Sequence, residues 1–223
     1  MEIGYWKIRG LAAPLRMMLR FTGTEHTDVQ YASEDEWFGA AKDRLKALNP
    51  LANLPYVIDD DGSTCVCQSN AVFVYVGEKL GIYRGIRDLE LLSEIYDLRN
   101  TLIELSYPFY QICGDSSEFE VKAKRHCENI GGSYYDKLEA ALQEPFFLGD
   151  EPSVCDFHVW EIVDQHEALT RKHGVKATLL DDYPKLQAFH ARFKALPQLR
   201  AYFDSPDYNL DINDRTNAGA YFY

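Results

Sequence analysis

The pattern of apolar residues changes once along this chain, close to residue 82. Before that point, short runs rich in β-branched and aromatic residues alternate with stretches whose apolar residues recur at helical spacing. From Leu89 onwards only the helical spacing remains. Strand-helix-strand followed by strand-strand-helix is an order that packs helices on both faces of a mixed sheet. The sequence therefore predicts an α+β domain with a mixed four-stranded sheet, followed by an all-helical domain.

The first domain is predicted to span residues 1–81, with the thioredoxin-like order of elements. A linker is predicted over residues 82–88, and the helical domain over residues 89–223. The turn Asp60-Asp61-Gly62 separates the last two strands, and Gly81 suits the end of the last helix. The predicted strands are Glu2–Ile8, His26–Tyr31, Tyr56–Asp59 and Ser63–Cys67. The predicted helices of this domain are Ala12–Thr22, Asp35–Leu48 and Ser69–Leu80.

The second domain reads as a series of helices followed by a polar tail, Ser205–Tyr223, that ends in aromatic residues. Ser153 and Asp156 have the spacing of a capping box, with aspartate in place of the usual glutamate. The predicted helices are Arg87–Cys113, Phe119–Ala141, Val154–His173, one from Tyr183-Pro184 to Leu196, and a short one at Leu199–Phe203.

Composition argues against several classes of partner. The net charge of −12 disfavours nucleic acids and anionic membranes.

No apolar run of about 18 residues and no signal-peptide pattern is present, so a cytoplasmic protein is expected. The five cysteines are odd in number and lack metal-ligand spacing, so we expect reduced thiols and no metal site. Cys65 and Cys67 are expected on one face of a strand, as small apolar filler.

The stretch Gly4-Tyr5-Trp6 ends the first strand just before a turn, Ile8-Arg9-Gly10-Leu11, that opens a helix. A helix N-terminus that follows such a turn favours anions, because its first N–H groups lack partners within the helix. The Tyr5 hydroxyl can donate a hydrogen bond there. The structural alternative is that Tyr5 and Trp6 only pack the core, since aromatic residues favour strands.

Two further motifs lie at the end of the first domain. Asn53-Leu54-Pro55-Tyr56 enters a strand through a proline, and Gln68-Ser69-Asn70-Ala71 opens a helix with Ser69 as its expected N-cap. Together with the two N-terminal motifs, these segments resemble those of the cytosolic glutathione transferases in order and spacing. The resemblance covers nearly the whole chain and is strongest for the mu class, with a sigma-like subclass as the alternative.

The resemblance implies an enzyme that activates glutathione as a thiolate and joins it to small apolar electrophiles in detoxification. It implies Tyr5 as the catalytic residue. Lowering a thiol pKa by ~2 units requires roughly 2.7 kcal/mol, and one hydrogen bond to a charged acceptor supplies about 1.5–3 kcal/mol.

The other implied glutathione contacts are the wall formed by Trp6 and Leu11, the cysteinyl anchor at Asn53 and Leu54 beside a cis Pro55, and the γ-glutamyl carboxylate site at Gln68 and Ser69.

The glycyl carboxylate is implied to lie between Trp37 and a lysine. In the family that lysine follows the tryptophan by four residues, where this chain has Ala41. Lys42 is the predicted ligand, and Lys46 is the competitor, because a shift of one residue turns a side chain by about 100° on a helix. Trp37 alone is equally typical of a core anchor, Gln68 of a solvated side chain, and Ser69 of a plain N-cap.

The electrophile is implied to occupy an apolar pocket beside the N-terminal turn. The aromatic run Tyr107-Pro108-Phe109-Tyr110 interrupts a helix there, and its alternative role is packing between helices. The predicted pocket residues are Ile8, Leu11, Tyr107, Tyr110 and Tyr208.

No cofactor is implied beyond glutathione as co-substrate, and a homodimer is expected. The dimer interface is expected to differ from the family pattern, because Leu51 replaces the aromatic key, Val74 the interfacial arginine and Leu102 the aspartate lent to the partner; Asp97 or Glu104 could substitute for that aspartate. The alternative function is a non-catalytic relative that binds ligands or has a structural role. A thiol-disulfide oxidoreductase is disfavoured, because no cysteine lies near the end of the first strand.

Overall fold

The structure is a computed structural model that describes residues 1–143, 145–174 and 176–223. The chain forms two compact units. The first unit contains Met1–Tyr83 and Pro197–Ile212, and the second contains Arg84–Leu196 and Asn213–Tyr223. The predicted boundaries at residues 81 and 89 stay a prediction, but the return of residues 197–212 to the first unit is a feature that the sequence did not predict.

The first unit is built on a mixed sheet of four strands, β1 (Glu2–Trp6), β2 (Thr27–Tyr31), β3 (Tyr56–Ile58) and β4 (Cys65–Cys67). Their order in the sheet is β2-β1-β3-β4. β1 is parallel to β2, whereas β3 is antiparallel to both β1 and β4. The predicted mixed four-stranded sheet is therefore confirmed.

Close packing in the sheet explains Gly4. Gly4 is paired with Tyr56, and a Cβ atom on Gly4 would lie 2.2 Å from the Tyr56 ring. The Tyr56 ring is fully buried, and its hydroxyl donates a hydrogen bond of 2.8 Å to Glu2. A side chain at position 4 would displace the ring that anchors β3 against β1.

Helices make up most of the remaining chain in both units. The α-helices are α1 (Ala12–Phe21), α2 (Glu34–Glu36), α3 (Lys42–Leu48), α4 (Ser69–Lys79), α5 (Ile86–Ser106), α6 (Ser116–Ile130), α7 (Asp136–Ala141), α8 (Val154–His173), α9 (Pro184–Lys194) and α10 (Arg200–Phe203).

The single helix predicted over Asp35–Leu48 is wrong. A π-helical segment, Trp37–Ala41, separates α2 from α3, and inside it Gly39 has the non-helical angles φ −70° and ψ −110°. Glycine has no Cβ and pays the largest entropic cost for helical backbone, so the regular helix gives way at this position.

Two other predicted helices are shorter than expected. α5 ends at Ser106 rather than Cys113, because Tyr107 is extended and Pro108 has no N–H to continue the hydrogen bonds. The helix predicted over Phe119–Ala141 starts earlier, at Ser116, and is interrupted by a π-helical segment, Gly131–Tyr135.

The start of α8 is held by a buried capping box. The Ser153 N–H donates to Asp156 at 2.8 Å, and the Ser153 side chain receives the reciprocal bond from the Asp156 backbone. Asp88 at the start of α5 joins this network, because it accepts from the Ser153 hydroxyl at 2.8 Å and from the Cys155 N–H at 2.9 Å. The predicted capping box is confirmed, and it also ties α8 to α5.

Candidate functional site

The turn between β1 and α1 is fixed by hydrogen bonds from three parts of the first unit. The Ile8 N–H bonds back to the Trp6 carbonyl at 2.8 Å, which ends β1 two residues earlier than predicted. The Arg9 N–H donates to Asp211 at 2.8 Å, and a buried Arg16 donates to the Ile8 carbonyl at 2.8 Å. The turn is therefore rigidly placed against the end of β1.

Tyr5 lies at the end of β1 with only 6% of its surface exposed. Gly10, in the turn, has a φ of +38°, a backbone conformation that glycine adopts without penalty. A Cβ on Gly10 would lie 2.7 Å from the Tyr5 ring and 3.1 Å from its hydroxyl oxygen. The glycine therefore lets the main chain of the turn approach the phenol, a contact that the sequence analysis did not identify.

The segment before β3 contains a cis peptide bond between Leu54 and Pro55, as the resemblance implied. Pro55 is buried, Leu54 is half-buried and Asn53 is exposed. The Leu54 N–H donates to the Asn53 side-chain oxygen at 2.9 Å. The Leu54 N–H is thus occupied by its own neighbour in this structure.

The chain turns from β4 into α4 through Gln68. This exposed residue has φ +77° and ψ +123°, angles that are rare for any residue other than glycine. The prediction that Ser69 is the N-cap is wrong: Gln68 occupies that position, and Ser69 is the first residue of α4 and 9% exposed. The Gln68 side chain makes no capping hydrogen bond to the start of α4.

Trp37 lies in the core rather than on an open surface. It is 1% exposed, and its ring lies 5.3 Å from that of Tyr31 and stacks on Tyr56 at 6.5 Å between centroids. Trp37 is therefore a core anchor, which is the alternative role that the sequence allowed for it.

Lys42 and Lys46 have different surroundings. The Lys42 ammonium lies 6.0 Å from the Trp37 ring centroid and 4.9 Å from that of Phe38. The Lys46 ammonium forms an exposed ion pair with Asp43 at 3.0 Å. Lys42 is thus the lysine that the structure brings to Trp37.

Phe38 is a neighbour of this group that sequence reasoning missed. Its ring is 55% exposed and lies 6.3 Å from that of Trp6. The π-helical turn places Phe38 outward while Trp37 points into the core. A second aromatic residue directly after Trp37, following the acidic run Glu34-Asp35-Glu36, was the available signal.

The five predicted electrophile-pocket residues are divided between the two units. In the first unit Ile8 and Leu11 are buried, and the Arg9 guanidinium lies over the Tyr208 ring at 4.7 Å. In the second unit Tyr107 is 8% exposed, and its hydroxyl accepts a hydrogen bond of 2.8 Å from the Asp214 N–H. Tyr110 is exposed in the same unit. A pocket formed by both groups stays a prediction.

The positions that the resemblance linked to a dimer interface differ in exposure. Leu51 is 65% exposed and Val74 is half-buried. Leu102 is fully buried in α5, so it cannot replace a residue lent to a partner, whereas Asp97 and Glu104 are exposed.

Across the described ranges, no group of three or more His, Cys, Asp or Glu side chains is arranged to hold a metal ion. In the same ranges no helix is long and apolar enough to cross a membrane.

Residues 1–78 match the family model of the glutathione S-transferase N-terminal domain, and residues 103–206 match the model of the glutathione S-transferase C-terminal domain. Glutathione S-transferase Mu 1 of Oryctolagus cuniculus is 30% identical over 214 residues, which cover 92% of this chain and 91% of that protein. This chain belongs to the glutathione S-transferase family.

Other members of the glutathione S-transferase family also match this chain over most of its length. Glutathione S-transferase Mu 2 of Rattus norvegicus is 30% identical over 212 residues, covering 92% of this chain and 91% of that protein. The crystal structure of the glutathione S-transferase Blo t 8 has a TM-score of 0.79 at 27% identity and covers 96% of this chain and 97% of that one. A Pi-class structure from Onchocerca volvulus, at 22% identity and a TM-score of 0.76, shares the fold. The predicted family, fold and enzyme class, a glutathione transferase, are confirmed.

Proposed function

We propose that this glutathione S-transferase joins glutathione to small apolar electrophiles and that Tyr5 ionises the glutathione thiol. The observation that carries the proposal is the packing of Gly10 against Tyr5, because it holds a phenol beside the main chain of a rigid turn. A tyrosine with a pKa near 10 stays protonated at neutral pH and can donate to a thiolate.

The γ-glutamyl carboxylate is assigned to the start of α4. This helix has 11 residues, and the N–H groups of its first turn carry a partial positive charge. The rare backbone angles of Gln68 turn the chain sharply before these groups, and Ser69 adds a hydroxyl in the first turn of the helix. Gln68 and Ser69 are therefore the proposed anchors.

The cysteinyl part of glutathione is assigned to the Leu54 backbone beside the cis Pro55. Its N–H is bonded to Asn53 in this structure, so the Asn53 side chain must rotate before a peptide can use the amide. Trp6 and Leu11 form the proposed wall beside the thiol. The glycyl carboxylate is assigned to Lys42, whose ammonium lies against Trp37 and Phe38.

The thiolate would attack an electrophilic carbon held by Ile8, Leu11, Tyr107, Tyr110 and Tyr208. Glutathione is the co-substrate, and the proposed mechanism needs no other cofactor. We further propose a homodimer in the cytoplasm, and the exposure of Leu51 agrees with a residue that inserts into a partner subunit.

The assignment of Tyr5 is tested by Tyr5→Phe. We expect nearly unchanged glutathione affinity and turnover lower by one to three orders of magnitude, roughly 1.4–4 kcal/mol of transition-state stabilisation. The pKa of the bound thiol, followed by its ultraviolet absorbance, should rise in the variant. If wild-type protein binds glutathione but forms no thioether with small apolar electrophiles, the proposed substrate class is wrong; an unchanged thiol pKa in the variant removes Tyr5 from the proposed role.

A further inference from the structure

The edge strand β4 carries two thiols on one face. Cys65 and Cys67 are separated by one residue, and their sulfur atoms lie 4.0 Å apart. Both pack against the buried cluster that contains Trp37 and Tyr56. Cys67 is 5% exposed and Cys65 is half-buried, so a reagent can reach the pair from the Cys65 side.

The distance between the sulfur atoms fits one bridging atom better than a direct bond. A disulfide requires a sulfur–sulfur distance of about 2.05 Å. A single pyramidal atom bound to two sulfurs at about 2.3 Å each separates them by about 3.3–3.8 Å, for bond angles between about 90° and the tetrahedral value. The observed 4.0 Å exceeds the upper value by only a few tenths of an ångström, which small side-chain rotations can close.

The half-buried surroundings of the two thiols favour a bridging atom that forms an uncharged compound with both sulfurs. Burial is the main cause that raises the pKa of the Cys65 thiol to about 12, and the nearby Cys67 raises it further. Two neighbouring thiolates are therefore disfavoured. A zinc ion would need four ligands, and the described part of the chain supplies no third donor to this pair. Trivalent arsenic that carries one organic group needs only two sulfurs and forms a neutral compound with them.

We propose that Cys65 and Cys67 together bind trivalent organoarsenicals as a chelate. With an arsine oxide, two arsenic–sulfur bonds form and the arsenic–oxygen bond breaks. The oxygen leaves with both thiol protons as one molecule of water, and no atom changes its oxidation state. This assignment does not depend on transferase activity.

The chelate should resist glutathione. A monothiol must displace both sulfurs in turn, and after the first step the released cysteine remains held beside the arsenic at high effective concentration. A small dithiol forms a chelate of its own and should remove the arsenical.

The test uses phenylarsine oxide with the full-length chain, followed by native and denaturing mass spectrometry in excess glutathione. We expect one phenylarsenic group per chain, retained with glutathione and lost with 2,3-dimercaptopropanol. Cys65→Ser and Cys67→Ser should each lose the retained group. Cys113→Ser is the matched control, since it removes another buried thiol and should keep the group.

Protection of wild-type protein gives a readout that needs no variant. Bound phenylarsenic should block alkylation of both Cys65 and Cys67, read from the peptide that contains them after digestion. Absence of a glutathione-resistant adduct on wild-type protein would overturn the proposal. So would an adduct that survives in both single variants, or protection of only one of the two cysteines.

Discussion

Gly10 brings the main chain of the N-terminal turn closer to Tyr5 than a side chain would allow. Two separate effects meet at this residue, a positive φ and a contact with the phenol ring. Gly23 shares the positive φ, at +67°, but a Cβ there would meet nothing within 4 Å. The pair therefore allows the contact to be separated from the backbone strain.

We expect Gly10→Ala to be more harmful than Gly23→Ala. Both variants place a Cβ in left-handed backbone, at about 1–2 kcal/mol. Only Gly10→Ala should also displace the Tyr5 ring, and it should therefore lower turnover and raise the thiol pKa of bound glutathione. Urea denaturation and thiolate titration measure the two effects. Equal turnover in both variants would show that the Gly10 contact does not position Tyr5.

The two lysines near Trp37 provide a second test for single residues. Lys42→Ala should raise the KM for glutathione several-fold, on the order of 1 kcal/mol for a partly exposed ion pair. Lys46→Ala should change it little, because Lys46 is paired with Asp43. Higher salt should reduce the Lys42 effect by screening. A larger effect of Lys46→Ala would contradict the assignment.

Among the elements, α8 depends on a cap that is buried. Asp156 accepts hydrogen bonds from the Phe147 N–H at 2.9 Å and the Ser153 N–H at 2.8 Å. Burial raises the pKa of Asp156 to about 6, although these bonds favour its charged form. α6 has a comparable but exposed cap, in which Asp115 accepts from the Glu118 N–H at 2.9 Å.

We expect Asp156→Ala to lower the free energy of unfolding by about 2–5 kcal/mol, since two buried N–H groups lose their acceptor. Asp115→Ala should cost about 1 kcal/mol or less, because water can replace an exposed cap. Urea denaturation of both variants measures the difference. Similar losses would mean that water reaches the start of α8.

Periodicity predicted where helices form but not where they are interrupted. Apolar spacing continues through Gly39 and through Gly131-Gly132, so the glycines rather than the periodicity mark the π-helical segments. Ser69 was predicted as an N-cap because its residue type favours that position, but the unusual backbone of Gln68 moved the helix start by one residue. The cis Pro55 was implied by the resemblance to a known family, whereas the Gly10 contact depends on how the turn folds back.

At the scale of the whole molecule, buried histidines link stability to pH. The rings of His126 and His166 stack 5.4 Å apart. Burial lowers the pKa of His126 to about 4 and those of His158 and His166 to about 3. Unfolded histidine has a pKa near 6.5, so below that pH the unfolded chain takes up protons that the folded chain does not.

We expect the free energy of unfolding to fall between pH 7 and pH 5. Each of the three histidines contributes a loss of about 2 kcal/mol over this range. Asp156 acts in the opposite direction by about 1 kcal/mol, because its raised pKa makes the folded state take up a proton first. Urea denaturation at both pH values tests the sum, and equal stability would contradict it. His166→Phe should reduce the dependence.

Local sequence patterns also do not predict how the chain divides into two units. Leu199–Phe203 has the same helical spacing as the residues before it and a polar tail follows, so no local pattern separates residues 197–212 from the helical domain. Their place in the first unit depends on pairing that is distant in sequence, such as the bond from the Arg9 N–H to Asp211.

This long-range pairing has a consequence for the order of events during synthesis. The N–H groups of Arg9 and Gly10 bond to the carbonyl groups of Asp211 and Ile212 at 2.8 and 3.2 Å. On the ribosome, N-terminal segments emerge first and begin to fold before the rest of the chain exists. The turn beside Tyr5 acquires these two bonds only after about 200 further residues have been translated, so a nascent chain can bury its sheet long before it completes the proposed active site.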